Sequence, residues 1–184
     1  VNHSRFSLHG VGYSDRYQGG RSREEHGIES DDYLTAELLT GHALMIDLGA
    51  LGRGAVRKYW LAQDLIASLA RDDIRHVEFA GGDIHRVIVT WNSGARVCVN
   101  RGETDWTLDG RTLPPFGYLA KHGAIESAIE RLGPAIAEHS RAPGKLYVNS
   151  RVVNPTAPVA ITPRAERVAH QLERGGPLLE RPEQ

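Results

Sequence analysis

The chain's 184 residues include 22 basic and 23 acidic side chains, for a formal charge of −1, and 40% are apolar. That composition supports one good core or two small ones, and its balanced charge gives no electrostatic footprint for nucleic acid or an anionic membrane surface. A single cysteine, Cys98, excludes a disulfide framework within the chain and a cysteine-based zinc site, and no run approaches the ~18 consecutive apolar residues of a membrane-crossing helix.

In chain order, Phe6-Ser7-Leu8 reads as a strand end. It is followed by a loop rich in Gly, Tyr and charge from His9 to Glu29. Ser30 is a good N-cap, with Asp31 and Asp32 in the first turn where the helix dipole favours negative charge. The spacing of Leu34, Leu38 and Met45 predicts a helix over 31–46, weakened at Gly41. A breaker-rich link from Gly49 to Gly54 leads to a second helix over 54–71. Its apolar residues wrap most of the circumference, so it should pack on more than one neighbour.

From Arg75 onward the period becomes two. Strands are expected at Val77–Phe79, Asp83–Trp91, Ala95–Asn100, Thr104–Leu108 and Tyr118–His122, with turns near Gly94 and Gly110, so that 75–122 forms a contiguous antiparallel sheet system. The stretch from Gly123 to Ser140 fits either period. Ile125, Ile129, Leu132 and Ile136 match a helix face, while Gly133-Pro134 would turn a hairpin, and strands are favoured. Lys145–Arg151 is a clearer strand. Beyond Asn154 five prolines suggest an extended tail with one helical stretch near Ala165–Leu172.

The segment Val99-Asn100-Arg101-Gly102, then Trp106-Thr107-Leu108-Asp109-Gly110, then Leu113-Pro114-Pro115-Phe116-Gly117 resembles the C-terminal β-sandwich that many glycoside hydrolases carry behind a (β/α)8 catalytic barrel. The resemblance covers most of residues 1–155 and names no single glycoside hydrolase family. It implies an α/β fragment: a βα unit and two helices of a TIM-like barrel over 1–72, an antiparallel β-sandwich over 73–155, and a Pro-rich tail over 156–184. It also implies O-glycosyl hydrolysis by a longer protein, with a carbohydrate substrate. The start at Val1, in mid-pattern and without an initiator Met, reads as the start of a fragment. On that reading the rest of the barrel and its catalytic carboxylates lie upstream, and the piece alone is inactive. Helices deprived of barrel partners should expose unusually large apolar surface. The rival readings are a non-catalytic carbohydrate-binding module and a purely structural sandwich.

Within this frame the loop from His9 to Gly20 follows a strand end and leads into a capped helix, as active-site loops of a (β/α)8 barrel do. Asp15, flanked by Tyr13, Arg16 and Tyr17, has the mixed carboxylate, aromatic and cationic character that sugar binding employs. These four are the candidate substrate-binding residues. A surface loop whose Asp and Arg satisfy local backbone groups is the plainer alternative. Glu24, Glu25, Glu29, Asp31 and Asp32 form an acidic cluster, of which the last two are explained by helix capping. His3, His9, His26 and His42 match no metal-ligand spacing, so no metal is expected, and the absence of a P-loop or dinucleotide fingerprint points to no cofactor. Trp91, Trp106, Phe116 and Tyr118 could form a sugar platform, but aromatics at alternating strand positions more often pack in a core. Cys98 reads as a buried small hydrophobe.

Overall fold

The computed structural model describes residues 30–44, 53–152 and 169–172. They form two helices and ten strands, an α/β arrangement dominated by one open and mostly antiparallel sheet. The helices are α1 (Ser30–Thr40) and α2 (Arg53–Leu69). The strands are β1 (Ile74–Phe79), β2 (Arg86–Trp91), β3 (Arg96–Asn100), β4 (Trp106–Leu108), β5 (Arg111–Leu113), β6 (Tyr118–His122), β7 (Ile125–Leu132), β8 (Ala135–Ala142), β9 (Lys145–Val152) and β10 (Ala169–Leu172). Along the sheet the order is β1-β2-β3-β6-β7-β8-β9-β10, with the short β4–β5 hairpin attached at β7 through Thr112 and Arg131.

The expected sheet over 75–122 is present, and the ambiguous stretch after it is a hairpin, β7–β8, turned at Gly133-Pro134. Three expectations are corrected. Helix α1 stops at Thr40 rather than continuing to residue 46. Gly41 adopts φ 65° and the His42 amide donates back to the Glu37 carbonyl, which is the left-handed cap that closes a helix. The helical stretch expected near Ala165–Leu172 gives way, in its described part, to strand β10, parallel to β9. Most importantly, among the described residues the strands form one open sheet rather than the two sheets of a sandwich, and the two helices pack on one of its faces.

Helices and sheet share one core. Leu34 and Leu38 of α1 and Leu61, Leu65 and Leu69 of α2 pack with Val87, Val89, Trp91, Val97, Val99, Tyr118 and Ile129 of the sheet. Helix residues before position 72 and strand residues after it thus lie in one cluster. Among the described residues the helices do not show the large apolar exposed surface expected for orphaned barrel helices. Among the described helix residues, Tyr59 is the one large apolar side chain that remains exposed. The opposite face of the sheet carries a smaller cluster, Ile88, Cys98, Leu119 and Ala128, roofed by Trp106 and Leu113 of the β4–β5 hairpin. Strands β2 and β3 are thus covered on both sides.

The helix layer is fixed by ions as well as by apolar contact. Arg57 of α2 donates from Nη1 to Asp31 of α1 at 2.7 Å, and from Nε and Nη2 to both oxygens of Glu138 of β8 at 2.7 Å each. Asn149 of β9 donates to the same Glu138 at 2.8 Å. Burial opposes the charge on Arg57, but the carboxylates of Asp31 and Glu138 outweigh it and hold the guanidinium pKa well above its ordinary value. One residue on, Lys58 pairs with Glu37 of α1 at 2.5 Å, with both side chains buried.

Replacing Arg57 with Met should cost roughly 3–5 kcal/mol, because it strands two buried carboxylates rather than merely deleting a bond. The double variant Arg57→Met/Glu138→Gln should lose less than the sum of the single losses. Urea denaturation of the four proteins measures both quantities, and strict additivity would remove the coupling.

Candidate functional site

Three segments apart in sequence meet at the side chain of Asn100, at the end of β3. Fully buried, it donates from Nδ2 to the carbonyls of Thr104, Leu113 and Pro114 at 2.8, 2.9 and 3.1 Å, and its Oδ1 accepts from the Gly102 amide at 3.0 Å. Its backbone is engaged as well. The Asn100 amide donates to the Gly117 carbonyl at 2.9 Å, and the Phe116 amide donates to the Asn100 carbonyl at 2.7 Å. One carboxamide thus satisfies loop groups that would otherwise be buried without partners.

The Pro-Pro segment completes this knot. Gly117 donates to the Pro114 carbonyl at 2.7 Å across a turn with Pro115 at its second position and Phe116 at φ 58°, the left-handed conformation a type II turn demands at its third position. A side chain at 117 has no room. A Cβ there would lie 2.5 Å from the Pro114 ring and 2.8 Å from the Ile129 carbonyl. The preceding β4–β5 hairpin turns tightly at Asp109-Gly110, and Arg96 reaches across to the Asp109 carboxylate at 2.6 Å. The aromatics considered as a sugar platform divide accordingly. Trp91, Trp106 and Tyr118 are buried in the two cores, and Phe116 is half-buried in the turn.

Beside the hairpin, on the face away from the helices, lies a cluster of charges. Arg111 of β5 donates to Glu130 at 2.7 and 2.5 Å and to Glu126 at 2.6 Å, both on β7. His139 of β8 closes the group, its Nε2 standing 3.4 Å from Glu126 and 3.5 Å from Arg111. Two carboxylates and an imidazole superficially match a hydrolytic site, yet their electrostatics are those of a clamp. Partial burial works to raise the Glu126 pKa, but the hydrogen bonds and charge of Arg111 prevail and bring it to about 2, so it holds no proton to donate near neutrality. Burial lowers the His139 pKa, with help from Arg111 and against Glu130 and Glu126.

Tyr13, Asp15, Arg16 and Tyr17, with Glu24, Glu25, Glu29, His3, His9 and His26, lie outside the described residues. Asp31 and Asp32 do stand in the first turn of α1. Their carboxylates, however, engage Arg57 and Arg101 respectively, so tertiary ion pairing accompanies the capping role given to them. Among the described residues no group of three His, Cys, Asp or Glu side chains is arranged to hold a metal ion. Cys98 is buried as expected, and burial pushes its thiol up to about 11, away from reactivity. Sequence reasoning missed Glu138, Asn149 and Arg111. The available signal was a polar or charged residue inside each strand pattern. The chain matches no protein-family model, no curated protein and no solved structure.

Removing the carboxamide in Asn100→Ala leaves three carbonyls without their donor and should cost about 3 kcal/mol or more, read as a lower denaturation midpoint. Acid should weaken the fold through the charged cluster. Glu126 has a folded pKa below its ordinary 4.5, so its contribution is complete above about 4.5 and is lost as pH falls through about 2. The stability gap between the wild type and Glu126→Gln should accordingly shrink between pH 5 and about 2. A gap independent of pH would show that the Arg111 clamp adds nothing in solution.

Proposed function

We propose that the chain is the C-terminal part of a glycoside hydrolase cleaving O-glycosidic bonds. In this reading the described sheet is a structural layer behind a (β/α)8 catalytic barrel, and α1 and α2 follow the last βα unit of that barrel. The observation that carries the reading is the Asn100 knot. The three sequence pieces that bear the resemblance, Val99–Gly102, Trp106–Gly110 and Leu113–Gly117, are neighbours in space, and the residues they share with the resemblance hold a turn-and-hairpin unit together.

On this reading the described portion performs no chemistry. Glycosidic cleavage needs one carboxylic acid to protonate the leaving oxygen and a second carboxylate as nucleophile or base. The Glu126 and Glu130 pair is committed to Arg111 instead. The catalytic carboxylates belong to the barrel, and Asp15 with Tyr13, Arg16 and Tyr17 forms a substrate-contacting loop on it. The burial of Trp91, Trp106 and Tyr118 weighs against the carbohydrate-binding alternative, which requires exposed rings.

The test uses the longer protein that contains the chain, assayed on a panel of aryl glycosides. Hydrolysis is expected, and Asp15→Asn should lower kcat/KM roughly ten- to a hundredfold, the worth of a hydrogen bond to a charged group, with an unchanged melting temperature. Inactivity on every glycoside would overturn the reading. Retardation of the isolated 184-residue chain on polysaccharide gels would favour a binding module in its place.

A further inference from the structure

Among the described residues strand β1 ends the sheet, and all six of its residues are exposed. It pairs with β2 in a register that slips between Ile74 and His76, which sets Ile74 opposite Trp91, Val77 opposite Val89 and Phe79 opposite Val87. Those three β2 residues face the helices. The irregularity therefore does something that strict alternation cannot: it brings Ile74, Val77 and Phe79 onto one face, although their spacing is three and then two. They continue the helix-side core past the point where the helices cover it, and they remain 42%, 45% and 49% exposed. Ile84, in the link to β2, is 67% exposed. A free strand edge flanked by an apolar strip is a surface that natural sheets cover, charge or shorten.

We infer that β1 is a self-association surface, pairing antiparallel with β1 of a second copy of this chain about a two-fold axis. The sequence of the strand, Ile-Arg-His-Val-Glu-Phe, is what selects this occupant. With Val77 on the axis, Val77 meets Val77, and His76 of each copy lies opposite Glu78 of the other. Both members of that cross-strand pair lie on the face away from the helices, since His76 pairs with Thr90 and Glu78 with Ile88. The arrangement is self-complementary, as an isologous interface must be: imidazole N–H donors oppose carboxylates twice, and apolar side chains adjoin at the centre. A register one step away, with Glu78 on the axis, would oppose like charges. The paired edges would leave the backbone groups of both β1 strands hydrogen-bonded within a continuous sheet.

Analytical ultracentrifugation of the 184-residue chain across micromolar concentrations should show a monomer–dimer equilibrium. Val77→Lys, which brings two ammonium groups together on the axis, should abolish the dimer without shifting the melting temperature, since position 77 is exposed. Glu78→Arg, which takes the acceptor from both symmetry-related pairs, and His76→Glu, which sets carboxylate against carboxylate in both, should each weaken association about tenfold, and the double variant, which opposes carboxylate and guanidinium, should restore it. Val77→Cys should form a disulfide-linked dimer on oxidation, while Ile84→Cys should not. A monomer at every concentration, a dimer indifferent to Val77→Lys, or a double variant no better than either single one would each overturn the proposal.

Discussion

The helix layer of this protein depends on the Arg57 guanidinium. Apolar contact is non-directional and would let an amphipathic helix slide or rotate on a broad sheet. Arg57 removes that freedom by reaching two elements at once, Asp31 on α1 and Glu138 on β8. Glu138 is wholly inaccessible, and a carboxylate in such a place is tolerable only while donors surround it. Two come from Arg57 and one from Asn149, so the strand accepts a buried charge only when α2 is docked in one position. Lys58 repeats the device toward α1. Successive helix residues point about 100° apart, so one cation addresses the sheet and α1 together while its neighbour addresses α1 through Glu37.

The same two-sidedness governs the sheet. Tyr118 and Ser127 make a buried polar link to α2, with Ser127 donating to the Leu61 carbonyl at 2.6 Å and the Tyr118 hydroxyl 2.6 Å from Ser127 Oγ. Burial raises the Tyr118 pKa, against the lowering effect of the Ser127 hydrogen bond, so the hydroxyl stays protonated and can donate. On the far face the hairpin roof is pinned at its edges by charge. Arg111 grips β7, and Arg131 of β7 reaches back to Asp105 at 2.6 Å. One face is closed by helices and internal ions, the other by a small flap and rim ions.

What was legible in the sequence follows from which signals are local. The strands β2 and β3 could be read because Val87, Val89, Trp91, Val97 and Val99 alternate. Their apolar intervening residues Ile88 and Cys98, which blur that alternation, are explained by the hairpin roof. The β7–β8 stretch was ambiguous for a definite reason: Ile125 and Ile129 are four apart, which is one face of a helix and also one face of a strand. Leu132 resolves it, falling on the other side and lying exposed. Invisible in sequence was any partnership across distance. Arg57 to Glu138 spans 81 positions, and nothing near either residue announces the other. The expectation of bare apolar helices failed for the same cause, because the surface that covers them is the sheet itself. The four loop residues from Tyr13 to Tyr17 remain a sequence-based assignment.

Asn100 bears on how function can be inferred from a chain like this one. A polar residue in a strand pattern is usually suspected of contacting a ligand, but here every hydrogen-bonding atom of its side chain is spent on the fold, tying Gly102, Thr104, Leu113 and Pro114 to the end of β3. The loop it closes has two consecutive prolines and a residue at positive φ, features that leave little conformational freedom to a segment between strands. A buried carboxamide engaged this fully is a packing element, and its polarity alone does not mark a ligand site.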